Sequence, residues 1–254
     1  MANGELRPSP TKEDAMRYGF ALAIACCLAA TMVSAASLQV APVLLTVPAP
    51  GAATTITLRN TDTQPITAQI RVYRWVQAGG EERLEPTNDI VASPPIVDLR
   101  ARQDYTVRVV RTAKQAVAGE EAYRLVIDEL PKPQQRTGTV SLVLRHVVPV
   151  FFASRGTSPP DVTFGISKQG PRLVLSARNR GDIHLRLSAV SIRDASGNLL
   201  GANKGLVGYS LGQGTMSWPL PASGALPRPG SKVSISGSSE IGPFNATALV
   251  QTAP

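Results

Sequence analysis

TGTVSLVLRHVVPVFF, residues Thr137 to Phe152, is apolar on both faces of an extended chain. Val140, Leu142 and Leu144 fall on one side, and Val143, Val147 and Phe151 on the other, because successive side chains of a strand point to opposite faces. A strand in a sheet with one wet face alternates apolar and polar residues. This one is either buried on both sides or keeps one apolar face for another molecule.

Working outward, the same vocabulary of Val, Ile, Leu, Thr and Tyr recurs in short runs bounded by Pro, Gly, Asn or Asp. Before the quoted stretch the runs are Leu38 to Val47, Thr54 to Arg59, Thr67 to Val76, Asp104 to Arg111 and Ala122 to Ile127. Thr54-Ile56-Leu58 and Ile66-Ala68-Ile70-Val72 are spaced two apart, the period of a half-buried strand, and no run carries a helical period. This rhythm predicts a sandwich of two antiparallel sheets over residues 37–155. Residues 156–160, GTSPP, break it and read as a linker. Beyond them, over residues 161–254, Val162 to Ile166, Arg172 to Arg178, His184 to Arg193, Leu206 to Leu211, Lys232 to Ser236 and Ala246 to Val250 predict a second, smaller sandwich. The two halves share no internal repeat, so the expected class is all-β with two domains of one kind.

Residues 1–36 read as a signal peptide with an upstream extension. Phe20 to Val33 is an apolar run behind Arg17 and ahead of Ser34-Ala35-Ala36, the pattern of an export signal. The polar residues before Met16 add nothing to it, which leaves Met1 and Met16 as alternative starts. Cys26 and Cys27, the only cysteines, lie inside the apolar core, and Ala23-Ile24-Ala25 lacks the Leu of a lipid-attachment site. Cleavage near Ala35 or Ala36 then leaves no thiol for a disulfide, catalysis or a metal site. The leader holds three basic and three acidic residues, so the net charge of +8 is unaffected by its removal. The basic residues are scattered singly and aromatics are few, which argues against nucleic acid. No later segment is apolar for the length of a bilayer, so stable membrane insertion is not expected.

The motifs that could carry chemistry fail on context. Gly208-Tyr209-Ser210-Leu211-Gly212 matches the nucleophile-elbow pattern, but both histidines, His146 and His184, precede Ser210, and the surroundings are β-turn sequence. The adjacent pairs Glu120-Glu121 and Asp128-Glu129 would point to opposite faces of a strand. Arg180-Gly181-Asp182 sits in turn sequence that its own geometry explains. No catalytic residue, metal site or cofactor is expected, and the chain does not read as an enzyme.

Ser93-Pro94-Pro95, Tyr105-Thr106-Val107-Arg108 and Tyr123-Arg124-Leu125-Val126-Ile127-Asp128-Glu129-Leu130-Pro131 together resemble the N-terminal domain of the periplasmic pilus-assembly chaperones. Leu38-Gln39-Val40-Ala41-Pro42 and Val148-Pro149-Val150-Phe151 are most similar to the archaic or Csu-type branch. Asn179-Arg180-Gly181-Asp182-Ile183-His184 and Ile241-Gly242-Pro243 are similar to motifs of the family's second domain.

The resemblance implies two immunoglobulin-like domains in a boomerang arrangement, located in the periplasm of a Gram-negative bacterium. It implies a chaperone that lends a strand to incomplete pilus subunits by β-augmentation and passes them to an outer-membrane usher. Val140, Leu142 and Leu144 are the residues expected to enter the subunit, with Ser141, Val143, Val147 and Phe151 kept for the chaperone itself. The family anchors the subunit's C-terminal carboxylate with basic residues of the first and seventh strands. Here Leu44 and Pro149 fall near those places, which leaves Arg145, Arg108 and Arg111 as anchor candidates. Ser93–Pro94 is the expected cis peptide, Pro94 being the cis-proline. A self-capping homodimer is left open, and the rival reading is a secreted structural or adhesive β-sandwich protein without chaperone activity.

Overall fold

Alternation of buried and exposed side chains marks strands such as Ala53–Asn60 and Arg172–Asn179 in this computed structural model, which describes residues 37–131 and 143–252. The first sandwich contains β1 (Leu38–Ala41), β2 (Leu45–Pro48), β3 (Ala53–Asn60), β4 (Ile66–Ala78), β5 (Glu81–Pro86), β6 (Ile90–Ser93), β7 (Ile96–Leu99), β8 (Asp104–Arg111), β9 (Glu120–Leu130) and β10 (Arg145–Ala153). One sheet runs β1-β3-β8-β6 and the other β2-β10-β9-β4-β5, with β7 also paired to β4. The opening strand changes sheets midway: β1 is antiparallel to β3, whereas β2 is parallel to the end of β10. Ile56, Leu58, Val107 and Val109 from one sheet meet Ile70, Leu125, Ile127, Val150 and Phe152 from the other in a shared core.

The second sandwich comprises β11 (Val162–Gln169), β12 (Arg172–Asn179), β13 (Leu185–Arg193), β14 (Leu199–Ser210), β15 (Thr215–Pro221), β16 (Lys232–Ser239) and β17 (Gly242–Val250). Their order is β14-β13-β16-β17-β11-β12-β15, and a bridge between Gly201 and Ala222 joins the two ends around a core that includes Leu175, Leu187, Ile192, Trp218 and Ile235. The turn between β12 and β13 needs Gly181, where a Cβ would lie 2.0 Å from the Pro159 carbonyl oxygen.

Four strands, β5, β6, β7 and β15, lie outside the runs read from the sequence. β5 is exposed throughout, β6 is only four residues long, and β15 is interrupted by Pro219. Only β5 lacks the apolar alternation that burial on one face imposes; Ile90 of β6 and Trp218 and Leu220 of β15 reach the cores, but their runs are short or broken. The Ser93–Pro94 peptide is cis, as are Ala41–Pro42 and Ala49–Pro50.

The two apolar rows of the opening stretch face opposite to expectation over the described residues. Val148, Val150 and Phe152 fill the first core, and Leu144 packs against it from the same side. Val143 and Val147, expected inside, are each 45% exposed. Phe151 is buried, but in a separate cluster shared with the second sandwich. The reason is register: pairing with β9 decides which parity points inward, and a run apolar at both parities does not encode that choice. Val140 and Leu142 lie outside the described residues.

Candidate functional site

β10 has an incomplete set of neighbours. It pairs with β9 from Arg145 to Ala153, but with β2 only from Val150 to Ala153. The Glu129 N–H donates to the Leu144 carbonyl at 2.9 Å, which places Leu144 in the hydrogen-bonded set facing β9. Since these sets alternate, the N–H and C=O groups of Arg145 and Val147 point toward the open edge. Pro149, next on that side, has no N–H to leave unpaired. His146 Nε2 lies 3.0 Å from the Leu38 carbonyl oxygen and ties the strand to the chain's other sheet. Among the described residues, the edge from Arg145 to Pro149 has no partner strand, and the outward valines Val143 and Val147 flank it.

The ladder sets side by side, on the same outer face, residues far apart in sequence. Pro149 is opposite Arg124, Arg124 is opposite Tyr73, and Tyr73 is opposite Pro86. Arg124 is a half-buried cation between two aromatic rings from different sandwiches: its guanidinium lies 3.4 Å from the Trp75 ring centroid and 5.5 Å from that of Tyr209. Glu82, 3.8 Å away, is occupied by the Trp75 indole N–H at 2.9 Å. Burial lowers the Arg124 pKa, against the opposing charge of Glu82. A cation held in aromatic walls beside an open strand end is suited to receive an anion, because its desolvation is already met by the fold.

The anchor residues expected from the sequence do not gather here. Arg145 borders the edge, but its guanidinium is engaged by Asp128, which also binds Arg71. Burial pushes the Asp128 carboxyl up, yet the hydrogen bonds and charges of Arg145 and Arg71 outweigh this and leave it below the usual carboxylate range. Arg111 is spent on Glu121, with both guanidinium bonds at 2.8 Å and both side chains largely buried. Arg108 belongs to β8 in the other sheet, where Val107 and Val109 point into the core and Arg108 therefore points away from β10. Arg124 was visible only as part of a strand motif; the signal that singles it out is its cross-strand pairing with Pro149, which the sequence does not display.

Contacts with the second sandwich complete the cleft. Trp75, Ala122, Phe151, Tyr209 and Leu211 form a small joint core, with Leu44 packed against it. Thus Leu44, at the place where the resemblance would put a first-strand cation, is apolar because it covers this core. The Gln77 side chain donates to the Tyr209 carbonyl at 2.7 Å and accepts from the Leu211 N–H at 2.9 Å. The His184 ring stacks on Phe151 at 3.7 Å, and its Nδ1 lies 2.9 Å from both Glu120 oxygens. A carboxylate only accepts, so Nδ1 carries the proton. Ser210 is fully buried on β14 with its hydroxyl unpartnered, which is core packing rather than a presented nucleophile.

The fold is two β-sandwiches, and in the first the opening strand switches sheets beside a last strand that is only half paired on that side. Residues 37–157 match the family model for the pili and flagellar-assembly chaperone, PapD N-terminal domain. Over 83–86% of the chain the fold is similar to that of solved chaperones. A chain from the chaperone–tip adhesion subunit pre-assembly complex of the archaic chaperone–usher Csu pili of Acinetobacter baumannii is 22% identical with a TM-score of 0.64, covering 86% of this chain and 100% of that one. The Salmonella enterica SafA pilin–SafB chaperone complex aligns at 17% identity and a TM-score of 0.57, over 83% and 96% of the two chains. The E. coli chaperone DraB aligns at 16% and 0.54, over 85% and 97%. The comparison with curated proteins found no match.

Proposed function

We propose that this protein is a periplasmic, non-enzymatic chaperone for pilus subunits that works by lending the free edge of β10. The chain divides into the first domain at 37–155, the linker at 156–160 and the second domain at 161–254. A subunit lacking a strand has unpaired backbone groups and an open apolar groove. The edge around Arg145 and Val147 supplies the backbone partners, and the outward row of Val143 and Val147 supplies apolar side chains. Arg124 receives the subunit's C-terminal carboxylate at the cleft, fixing the register of the lent strand. Release follows when an outer-membrane usher presents the next subunit's strand, and before loading the edge is covered by a second copy of the chain. The absence of a β2 partner for Arg145 to Pro149 is the observation that carries this reading.

The test is co-expression with small secreted β-sandwich subunits encoded beside the chaperone gene. Wild-type protein should raise soluble periplasmic subunit and co-purify with it. Val147→Glu should lose the complex while keeping its own melting temperature; full retention of subunit by that variant rejects the lent-strand mechanism.

A further inference from the structure

The outer face of the second sandwich carries a cavity of about 540 Å³ that the subunit-binding reading does not use. Its central row runs across three strands: Thr163 on β11 is opposite Arg178 on β12, which is opposite Thr215 on β15. Leu175 and Ala177 point into the core, so Arg178 and Ser176 point outward into this hollow. Gly165 forms its floor. A Cβ there would come within 2.5 Å of the Gln251 amide nitrogen and 2.7 Å of the Ser176 hydroxyl, so any other residue would crowd the hollow.

The walls are held by backbone and turn contacts. Gln251 is pinned by its N–H to the Ile166 carbonyl at 2.6 Å, and Arg180 by its N–H to the Asp161 carbonyl at 2.8 Å. Asn179 fixes the same turn by accepting from the Asp161 and Gly181 N–H groups. Among the described residues, no carboxylate lines the cavity. Arg180 has only Asp161 at 3.3 Å, both side chains being mostly exposed, and such a pair is easily exchanged for another anion. Among the described residues, no carboxylate pairs with Arg178.

We infer that this cavity binds a phosphoryl group. Two guanidinium groups and the hydroxyls of Thr163, Ser176 and Thr215 offer more donors than the two oxygens of a carboxylate can use. A tetrahedral anion with three or four oxygens accepts from several directions at once, and threonine hydroxyls flanking an arginine suit it. The group comes from a free phosphate monoester or from a phospholipid headgroup, which share this chemistry.

Titration of the isotopically labelled full chain with inorganic phosphate, at constant ionic strength set by sodium chloride, tests the site through amide chemical shifts. Saturable shifts confined to residues around Gly165, Arg178 and Thr215 are expected, with affinity falling about tenfold in Arg178→Gln and less in Arg178→Lys. Co-flotation with phosphatidylcholine vesicles, with and without phosphatidic acid, separates the two sources: flotation only with phosphatidic acid assigns a headgroup, and saturable phosphate shifts without flotation assign a soluble ligand. Non-saturating shifts in wild type, or saturation unchanged in both Arg178→Gln and Arg180→Gln, overturn the proposal.

Discussion

Arg124 and Trp75 are stacked face to face, the guanidinium 3.4 Å from the indole centroid, although 49 positions separate them in the chain. The stack fixes the cation at the cleft without an intimate carboxylate partner. Arg124→Gln keeps part of the stem and loses the charge, so it should cost about 1 kcal/mol in stability. Co-purified subunit should fall more than about tenfold, as expected when one member of a buried charge pair is removed. Denaturant melts and pull-down yields measured on one preparation check both halves of this prediction.

The reversed facing of β10 gives a sharp contrast between neighbours. Val148 is 3% exposed and Val147 45%. Val148→Ala should cost about 2 kcal/mol by transfer and cavity formation, whereas Val147→Ala should stay within about 0.5 kcal/mol. Urea midpoints of the two variants decide it; a larger loss in Val147→Ala would restore the opposite facing.

Gln77 joins the sandwiches through two backbone groups of the second one. Gln77→Ala leaves the Tyr209 carbonyl and the Leu211 N–H without those partners inside a buried contact. A loss of about 2 kcal/mol is expected. Calorimetry should show the unfolding transition lowered or split in two; an unchanged transition would mean that the joint core alone holds the sandwiches together.

Acid sensitivity follows from Glu121. Burial raises its pKa, but hydrogen bonds from Arg111 and Tyr123, together with the Arg111 charge, outweigh burial and leave it below the ordinary value. A carboxyl depressed in the folded state contributes stability above its unfolded pKa of about 4.3, lost as pH falls through the folded pKa. Glu121→Gln should therefore be less stable at neutral pH, by about 3 kcal/mol for breaking a buried pair. Its stability should decline less steeply than that of wild type between about pH 4.3 and the folded pKa. Parallel curves would show that Glu121 contributes nothing to acid unfolding.

Much of the fold was legible because period-two patterning is a local property. Ile56 with Leu58, Ile66 with Ala68 and Ile70, and Leu175 with Ala177 each declare an inward face, and the Gly and Pro clusters between runs declare the turns. β5 escaped notice because exposure on all sides removes the alternation. Arg111 resembled a free cation because the chain does not show that Glu121, ten residues later, lies within bonding reach.

The sequence by itself determined the all-β class, the tandem sandwiches and a last strand of the first sandwich that is apolar on both faces. Those follow from side-chain chemistry read along one chain direction. Only the tertiary structure decided which apolar row of that strand faces inward, that its edge is free from Arg145 to Pro149, and that Arg124 rather than Arg108 or Arg111 stands at the cleft. Each of these depends on register between strands distant in sequence, and a shift of one residue exchanges the two faces while leaving the pattern of either strand unchanged.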